Sequence, residues 1–170
     1  IETAKASKYI DSVIVSTDDI EIKKISEKFG AEVPFIRPDY LSHDTASSFD
    51  VVKHAIEFLH INKVNHLIVL LQPTSPLRTV EELDEALELF FKKLAHGVVS
   101  ISETEHSPLW SNILPENGCM SDFIRPEVQG KRSQDLGKFF RLNGSIYIYK
   151  TLSLLEQKKM DCLRLPYLHR

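Results

Sequence analysis

Three short polar runs in this 170-residue chain combine residue types that could act on a small anionic ligand. The richest is Gln72-Pro73-Thr74-Ser75-Pro76-Leu77-Arg78-Thr79. Its two prolines stiffen the backbone and present an amide, two hydroxyls and a guanidinium in defined directions, as a preorganised site requires. A plain strand-to-helix connection needs only a few residues and a cap, which Thr79 already supplies, so the added rigidity is read as functional. The second run is Arg37-Pro38-Asp39-Tyr40-Leu41-Ser42-His43-Asp44-Thr45-Ala46-Ser47-Ser48. A small Ala46 beside serine donors at a helix start allows close approach of a planar base or an anion, and Arg37 adds a planar fork. The same residues fit equally well a helix capped by Ser47 or Ser48 with Arg37 on the surface. The third run, Ser16-Thr17-Asp18-Asp19, reads as a helix cap whose acids complement the helix dipole, in preference to a catalytic or metal site.

Other chemistries lack their signatures. The seven histidines form no H-E-x-x-H pair and have no cysteine partners at ligand spacing, so zinc is not indicated. Cys119 and Cys162 stand apart without a C-x-x-C motif, and no G-x-S-x-G elbow offers a serine nucleophile. With 21 Lys+Arg against 24 Asp+Glu, net charge −3, the chain has no electrostatic footprint for a nucleic acid. Its longest apolar run, residues 67–71, falls far short of the ~20 residues of a membrane span. A soluble domain in a reducing cytoplasm is the expectation.

The elements that must position these runs follow from periodicity. Residues 1–8 read as helix and 13–15 as a short buried strand; Ile22, Ile25 and Phe29 at helical spacing predict a helix over 18–29, closed by Gly30. Residues 32–36 read as a strand stopped by Arg37-Pro38. Phe49, Val52, Ala55, Ile56 and Leu59 predict the next helix, and 66–72, apolar throughout between His66 and Gln72, a central strand covered on both faces. Thr79-x-x-Glu82 is a capping box opening a helix to about residue 95, followed by a strand over 97–102. This alternation predicts an α/β fold with an open, mostly parallel sheet. The rhythm breaks over 104–137, rich in Gly and Pro, which reads as hairpins or an inserted arm. A strand over 144–150 and a short helix near 152–157 return the chain to the sheet.

The ordered set Val13-Ile14-Val15-Ser16-Thr17-Asp18-Asp19, Phe29-Gly30-Ala31-Glu32-Val33-Pro34-Phe35, Asp44-Thr45-Ala46-Ser47-Ser48, Leu71-Gln72-Pro73-Thr74-Ser75-Pro76-Leu77-Arg78 and Arg141-Leu142-Asn143-Gly144-Ser145-Ile146-Tyr147-Ile148 resembles the motifs of the cytidylyltransferases that make CMP-sialic acid. The QPTSPLR and RLNGSIYI strings are the specific part. The resemblance implies a three-layer, Rossmann-like nucleotidyltransferase domain over 1–103 and 141–170, with an inserted dimerisation arm over 104–140 that makes a homodimer. It implies transfer of CMP from CTP to the anomeric hydroxyl of a nine-carbon 2-keto-3-deoxy sugar acid, with release of pyrophosphate and assistance from Mg2+. By likeness, Arg37, Ala46, Ser47, Ser48 and Gln72 would bind the nucleotide. Gln72, Arg78, Arg132, Asn143 and Tyr147 would bind the sugar. The family's phosphate loop, which carries the catalytic residues, is expected ahead of Ile1, and its acidic S-x-D-x-D metal motif beyond the region 165–170, so no metal ligand is assigned within the chain. Ser133 stands where the family often has Arg, Gly137 where it has Pro, and Trp110 where it often has Lys. These departures keep a legionaminic, pseudaminic or eight-carbon acid, or another nucleotide, as alternatives. A non-catalytic domain derived from the fold is the reading from another class.

Overall fold

The computed structural model describes residues 1–62, 64, 66–157 and 167–169. In chain order the elements are α1 (Glu2–Ala6), α2 (Ile20–Lys28), α3 (Ser48–Phe58), β1 (Leu67–Leu70), α4 (Val80–Lys93), β2 (Gly97–Glu103), β3 (Phe140–Lys150), α5 (Thr151–Gln157) and β4 (Tyr167–His169). Cys162, the stretch 158–166 and Arg170 lie outside the described residues.

The helix starts follow the capping signals. Asp19 accepts from the backbone N–H groups of Glu21 (2.6 Å) and Ile22 (2.9 Å), Ser47 from that of Asp50 (3.1 Å), and Thr79 and Glu82 form both halves of a capping box. Each bond satisfies a donor that the first helical turn leaves without a partner. Gly30, at φ +82°, ends α2 in the left-handed conformation that glycine adopts without a Cβ penalty.

The strands lie in the order β1-β3-β2-β4. β1, β2 and β4 share one direction, whereas β3 runs antiparallel to both β1 and β2, so the sheet is mixed rather than mostly parallel. The reason is topological: β3 enters from the long excursion after β2 and fills the gap between β1 and β2 in reverse. Glu103 and Phe140 are register partners, and Thr104 N–H donates to the Phe139 carbonyl at 2.9 Å, closing the excursion at its base. β1 pairs with β3 alone among the described residues. Its apolar run reflects cover on both faces, and among the described strands it lies at an edge of the sheet. Leu67 and Val69 pack with Leu83, Leu87 and Phe90 of α4, together with Ile146 and Ile148 of β3. Ile68 and Leu70 pack on the opposite side with Val52 and Ile56 of α3, Tyr149 and Leu154. The period of two along β3 thus sends isoleucines to α4 and tyrosines to α3 and α5.

Two expected strands shrink to a single contact. Residues 13–15 and 32–36 meet in one parallel bridge, Ile14 to Glu32, with Val15 N–H to the Glu32 carbonyl (2.9 Å) and Glu32 N–H to the Val13 carbonyl (2.8 Å). The next donor in that parallel ladder belongs to residue 34, which is Pro34 and has no N–H. The excursion 104–139 holds short 3-10 turns at Pro108–Trp110, Pro126–Val128 and Ser133–Asp135, and no hairpin strands. Val128 is buried within it, while Trp110, Ile113, Leu114 and Met120 are exposed.

Candidate functional site

The loop after β1 is tied to a bulge in β3. Val99 pairs with Tyr147 but Ile101 with Leu142, so Asn143, Gly144, Ser145 and Ile146 all lie opposite Ser100 alone. Such a bulge re-aims side chains and bends the strand. Gly144 sits at φ +73°, and a Cβ there would stand 2.6 Å from Gln72 Oε1. The glycine is therefore needed twice, for its backbone conformation and for the close approach of the Gln72 amide. Ser75 Oγ donates to the Asn143 carbonyl at 3.3 Å. Arg78 reaches back across the loop, donating through Nη2 to the Gln72 carbonyl and through Nε to Ser145 Oγ at 3.4 Å.

Gln72 and Arg78 of one motif and Asn143 of another, far away in sequence, are thus brought into one network. The Asn143 amide is held inside it: Oδ1 accepts from Ser100 Oγ (2.5 Å) and Ser145 N–H (3.0 Å), and Nδ2 donates to Ser102 Oγ (3.0 Å). The Gln72 side-chain amide has no hydrogen-bond partner among the described residues, leaving one acceptor and two donors for a ligand.

The second run forms a separate assembly. Arg37 Nη2 binds Asp18 Oδ1 at 2.7 Å, and Arg37 Nε donates to Ser42 Oγ at 3.2 Å, joining the 16–19 and 37–48 segments. The Arg37 guanidinium holds the Asp18 carboxyl below its ordinary value, because the ion pair favours the charged form. Ala46 and Ser47 line a cleft of about 300 Å³ together with Tyr40, His43, Lys53 and His54. His54 packs edge-on to Phe35, ring centroids 4.7 Å apart, and its buried Nδ1 has no partner among the described residues. Ser48 is exposed in the first turn of α3 and is not part of the cleft lining.

Two predicted residues lie elsewhere. Tyr147 projects on the α3 side of the sheet, stacked on Tyr149 at 6.4 Å between centroids, and packs with the core there. Arg132 lies in the 104–139 excursion, where its Nε meets Asp135 Oδ2 at 3.2 Å. The Mg2+ expectation finds no donor set among the described residues, where no group of three or more His, Cys, Asp or Glu is gathered. Asp18 is committed to Arg37 and Asp19 to the α2 cap. Mg2+ prefers hard oxygen ligands and is often held by one or two carboxylates plus substrate phosphates.

Sequence reasoning missed Ser100 and His54. A serine inside the apolar run Val98-Val99-Ser100-Ile101 was the available signal, since a buried hydroxyl demands partners. For His54 no signal exists in the local pattern.

Comparison with known proteins places this geometry in context. A family described as cytidylyltransferase matches residues 1–156. A pseudaminic acid cytidylyltransferase of Campylobacter jejuni is 34% identical over 158 residues, covering 92% of this chain and 68% of that protein. A CMP-N,N'-diacetyllegionaminic acid synthase of Legionella pneumophila is 31% identical over 165 residues, 93% of this chain and 68% of its own length. An N-acylneuraminate cytidylyltransferase of Streptococcus agalactiae is 35% identical over 146 residues, 86% of this chain but 34% of that protein. In fold, the chain is similar to a CMP:2-keto-3-deoxy-manno-octonic acid synthetase solved with CTP, with a TM-score of 0.63, 16% identity and cover of 92% of this chain and 64% of that one. The chain therefore spans about two thirds of the length of the first two relatives.

Proposed function

The chain belongs to the cytidylyltransferase family, and on that premise we propose that the protein transfers CMP from CTP to the anomeric hydroxyl of a sialic-acid-type 2-keto-3-deoxy sugar acid. The observation that carries the reading is the family match across residues 1–156, which includes every motif run described above. In the reaction the anomeric oxygen forms a bond to the α-phosphorus and loses its proton, while the bond from that phosphorus to the bridging oxygen breaks and pyrophosphate leaves. Catalysis of this kind rests on positioning and on neutralising developing charge.

In this reading the Gln72 amide, stiffened by its prolines and backed by Gly144, lies between nucleotide and sugar, and Arg78 fixes the loop that carries it. Ala46 and Ser47 border the nucleotide from the cleft, with Arg37 ordering their loop through Ser42, and Ser48 enters the reading through the family likeness. Asn143 holds the bulge that faces the sugar, and Tyr147 supports β3 from behind. Arg132 belongs to the sugar site only through the arm, as residues 104–140 pack on a second copy in a homodimer that buries Trp110 and its exposed neighbours. Residues 1–103 and 141–170 are then the nucleotidyltransferase domain. Mg2+ belongs to the reading through the family likeness alone. Among the described residues no helix is long and apolar enough to cross a membrane, and use of CTP fits a cytoplasmic setting.

A second reading keeps the reaction and changes the acid. Pseudaminic, diacetyllegionaminic and N-acylneuraminic enzymes match this chain at 34%, 31% and 35% identity, and with Ser133 and Trp110 in the arm where the resemblance has Arg and Lys, a pseudaminic or legionaminic acid is that reading. The test is to incubate the full-length protein with CTP, Mg2+ and a panel of neuraminic, pseudaminic, legionaminic and eight-carbon keto-deoxy acids, with GTP as the control nucleotide. Pyrophosphate release with CTP and one acid is expected. Release with none would leave a non-catalytic domain, and turnover with GTP alone would remove the cytidylyl assignment.

A further inference from the structure

Ser100 is buried in the middle of β2, at 1% exposure, opposite a stretch of β3 that no regular ladder could accommodate. Its one hydroxyl does the work of the missing rungs. Oγ accepts from Ile146 N–H at 2.9 Å and donates to Asn143 Oδ1 at 2.5 Å. The Asn143 amide has only one orientation that satisfies its surroundings, because Ser145 N–H can only donate and so requires the amide oxygen, leaving Nδ2 to meet Ser102 Oγ. From Asn143 the chain of contacts continues outward. Its carbonyl accepts from Ser75 Oγ, and its neighbour Gly144 leaves the space in which Gln72 Oε1 rests. A network anchored on the buried Ser100, Ser145 and Ile146 and reaching outward through the half-buried Asn143 favours one arrangement of the bulge.

We propose that Ser100 is a positioning residue that, through Asn143 and Gly144, sets the place of the Gln72 side-chain amide and with it the productive geometry of the bound sugar acid. The proposal rests on the cytidylyltransferase reading for its kinetic consequence, but its structural part does not. Ser100, buried beneath the bulge, touches no ligand itself. It acts by holding the bulge, and Gly144 acts from the same bulge by leaving room.

The test combines a spectroscopic and a kinetic arm on the full-length protein. In 15N-labelled protein the Gln72 side-chain NH2 resonances are identified by their loss in Gln72→Glu. Ser100→Ala should displace them, Ser100→Thr should return them toward the wild-type position, and Gly144→Ala should displace them by intruding on the amide. Resonances unmoved in a folded Ser100→Ala would overturn the proposal; if that variant does not fold, resonances unmoved in Gly144→Ala would overturn it. In pyrophosphate release, Ser100→Ala should lower kcat/KM for the sugar acid by about tenfold or more, the scale of a small misplacement of a substrate-positioning group. In a Gln72→Ala background the same substitution should cost nothing further, because its effect passes through that amide. A loss that simply adds to that of Gln72→Ala would overturn the route through Gln72. Resonances displaced in the variants, together with a wild-type protein that turns over no acid, would defeat the reaction assignment and leave the positioning role standing.

Discussion

The loops 72–79 and 37–48 carry nearly the same ingredients, a proline, an arginine, hydroxyls and a cap for the helix that follows, yet they are held in different ways. The first is anchored to the sheet by Ser75, Arg78 and the Asn143 bulge, each with a partner far away in sequence. The second is held by local turns, by the Arg37 N–H donating to the Thr17 carbonyl at 2.8 Å, and by one ion pair, Arg37 to Asp18, of which the Asp18 side chain is 44% exposed. What separates them is the presence of a bulged strand next to the first loop. Loop composition sets what a segment can bind, while its tether to the core sets how firmly it is held.

Arginine substitutions test that contrast most directly. Arg78→Ala should cost about 1.5–3 kcal/mol in urea unfolding, since it removes charge-assisted bonds within a part-buried network. Arg37→Ala should cost clearly less because its ion pair is partly in solvent. Equal losses would erase the distinction between the loops. Next in size is Gly144→Ala, for which forcing a Cβ into the left-handed region should cost about 1–2 kcal/mol by the same unfolding measurement. Ser47→Ala should cost about 1 kcal/mol through the lost α3 cap, with hydrogen exchange rising in the first turn of α3 and not in 72–79.

The smallest effect is set by pH. The folded-state value of Asp18 is lowered by the hydrogen bond and charge of Arg37, so the pair contributes fully above the ordinary value of 3.8 and is lost as pH falls through the lowered one. An NMR titration of the Asp18 carboxyl should show a midpoint below 3.8, returning toward it in Arg37→Ala. An unchanged midpoint in that variant would detach the 16–19 segment from the 37–48 loop.

Where structure is decided within a few residues, the sequence was readable. The Thr79/Glu82 capping box, the Ser47 cap, the Gly30 stop and the double-faced character of 67–70 all follow from local pattern. Pairing was not. The apolar alternation of 32–36 concealed that Pro34 removes the second rung of its ladder. Gly144 read as the start of a strand, whereas β3 begins at Phe140 and the glycine marks a bulge inside it. At the candidate site, Gln72 and Arg78 stood out because prolines and a cap frame them. Ser100 did not, because its importance comes from four residues on another strand that no local window connects to it.

The closed base of the 104–139 excursion has an evolutionary side. Glu103 and Phe140 face each other across adjacent antiparallel strands, so the segment leaves and rejoins the sheet at a pair of neighbouring ends. Lengthening such a loop costs only a slowly growing entropy, about 0.6 kcal/mol for each doubling. Natural variation can therefore rewrite the excursion as an exchangeable cassette, altering what it meets outside the domain while the strands that carry Asn143 and Ser100 inherit no disturbance.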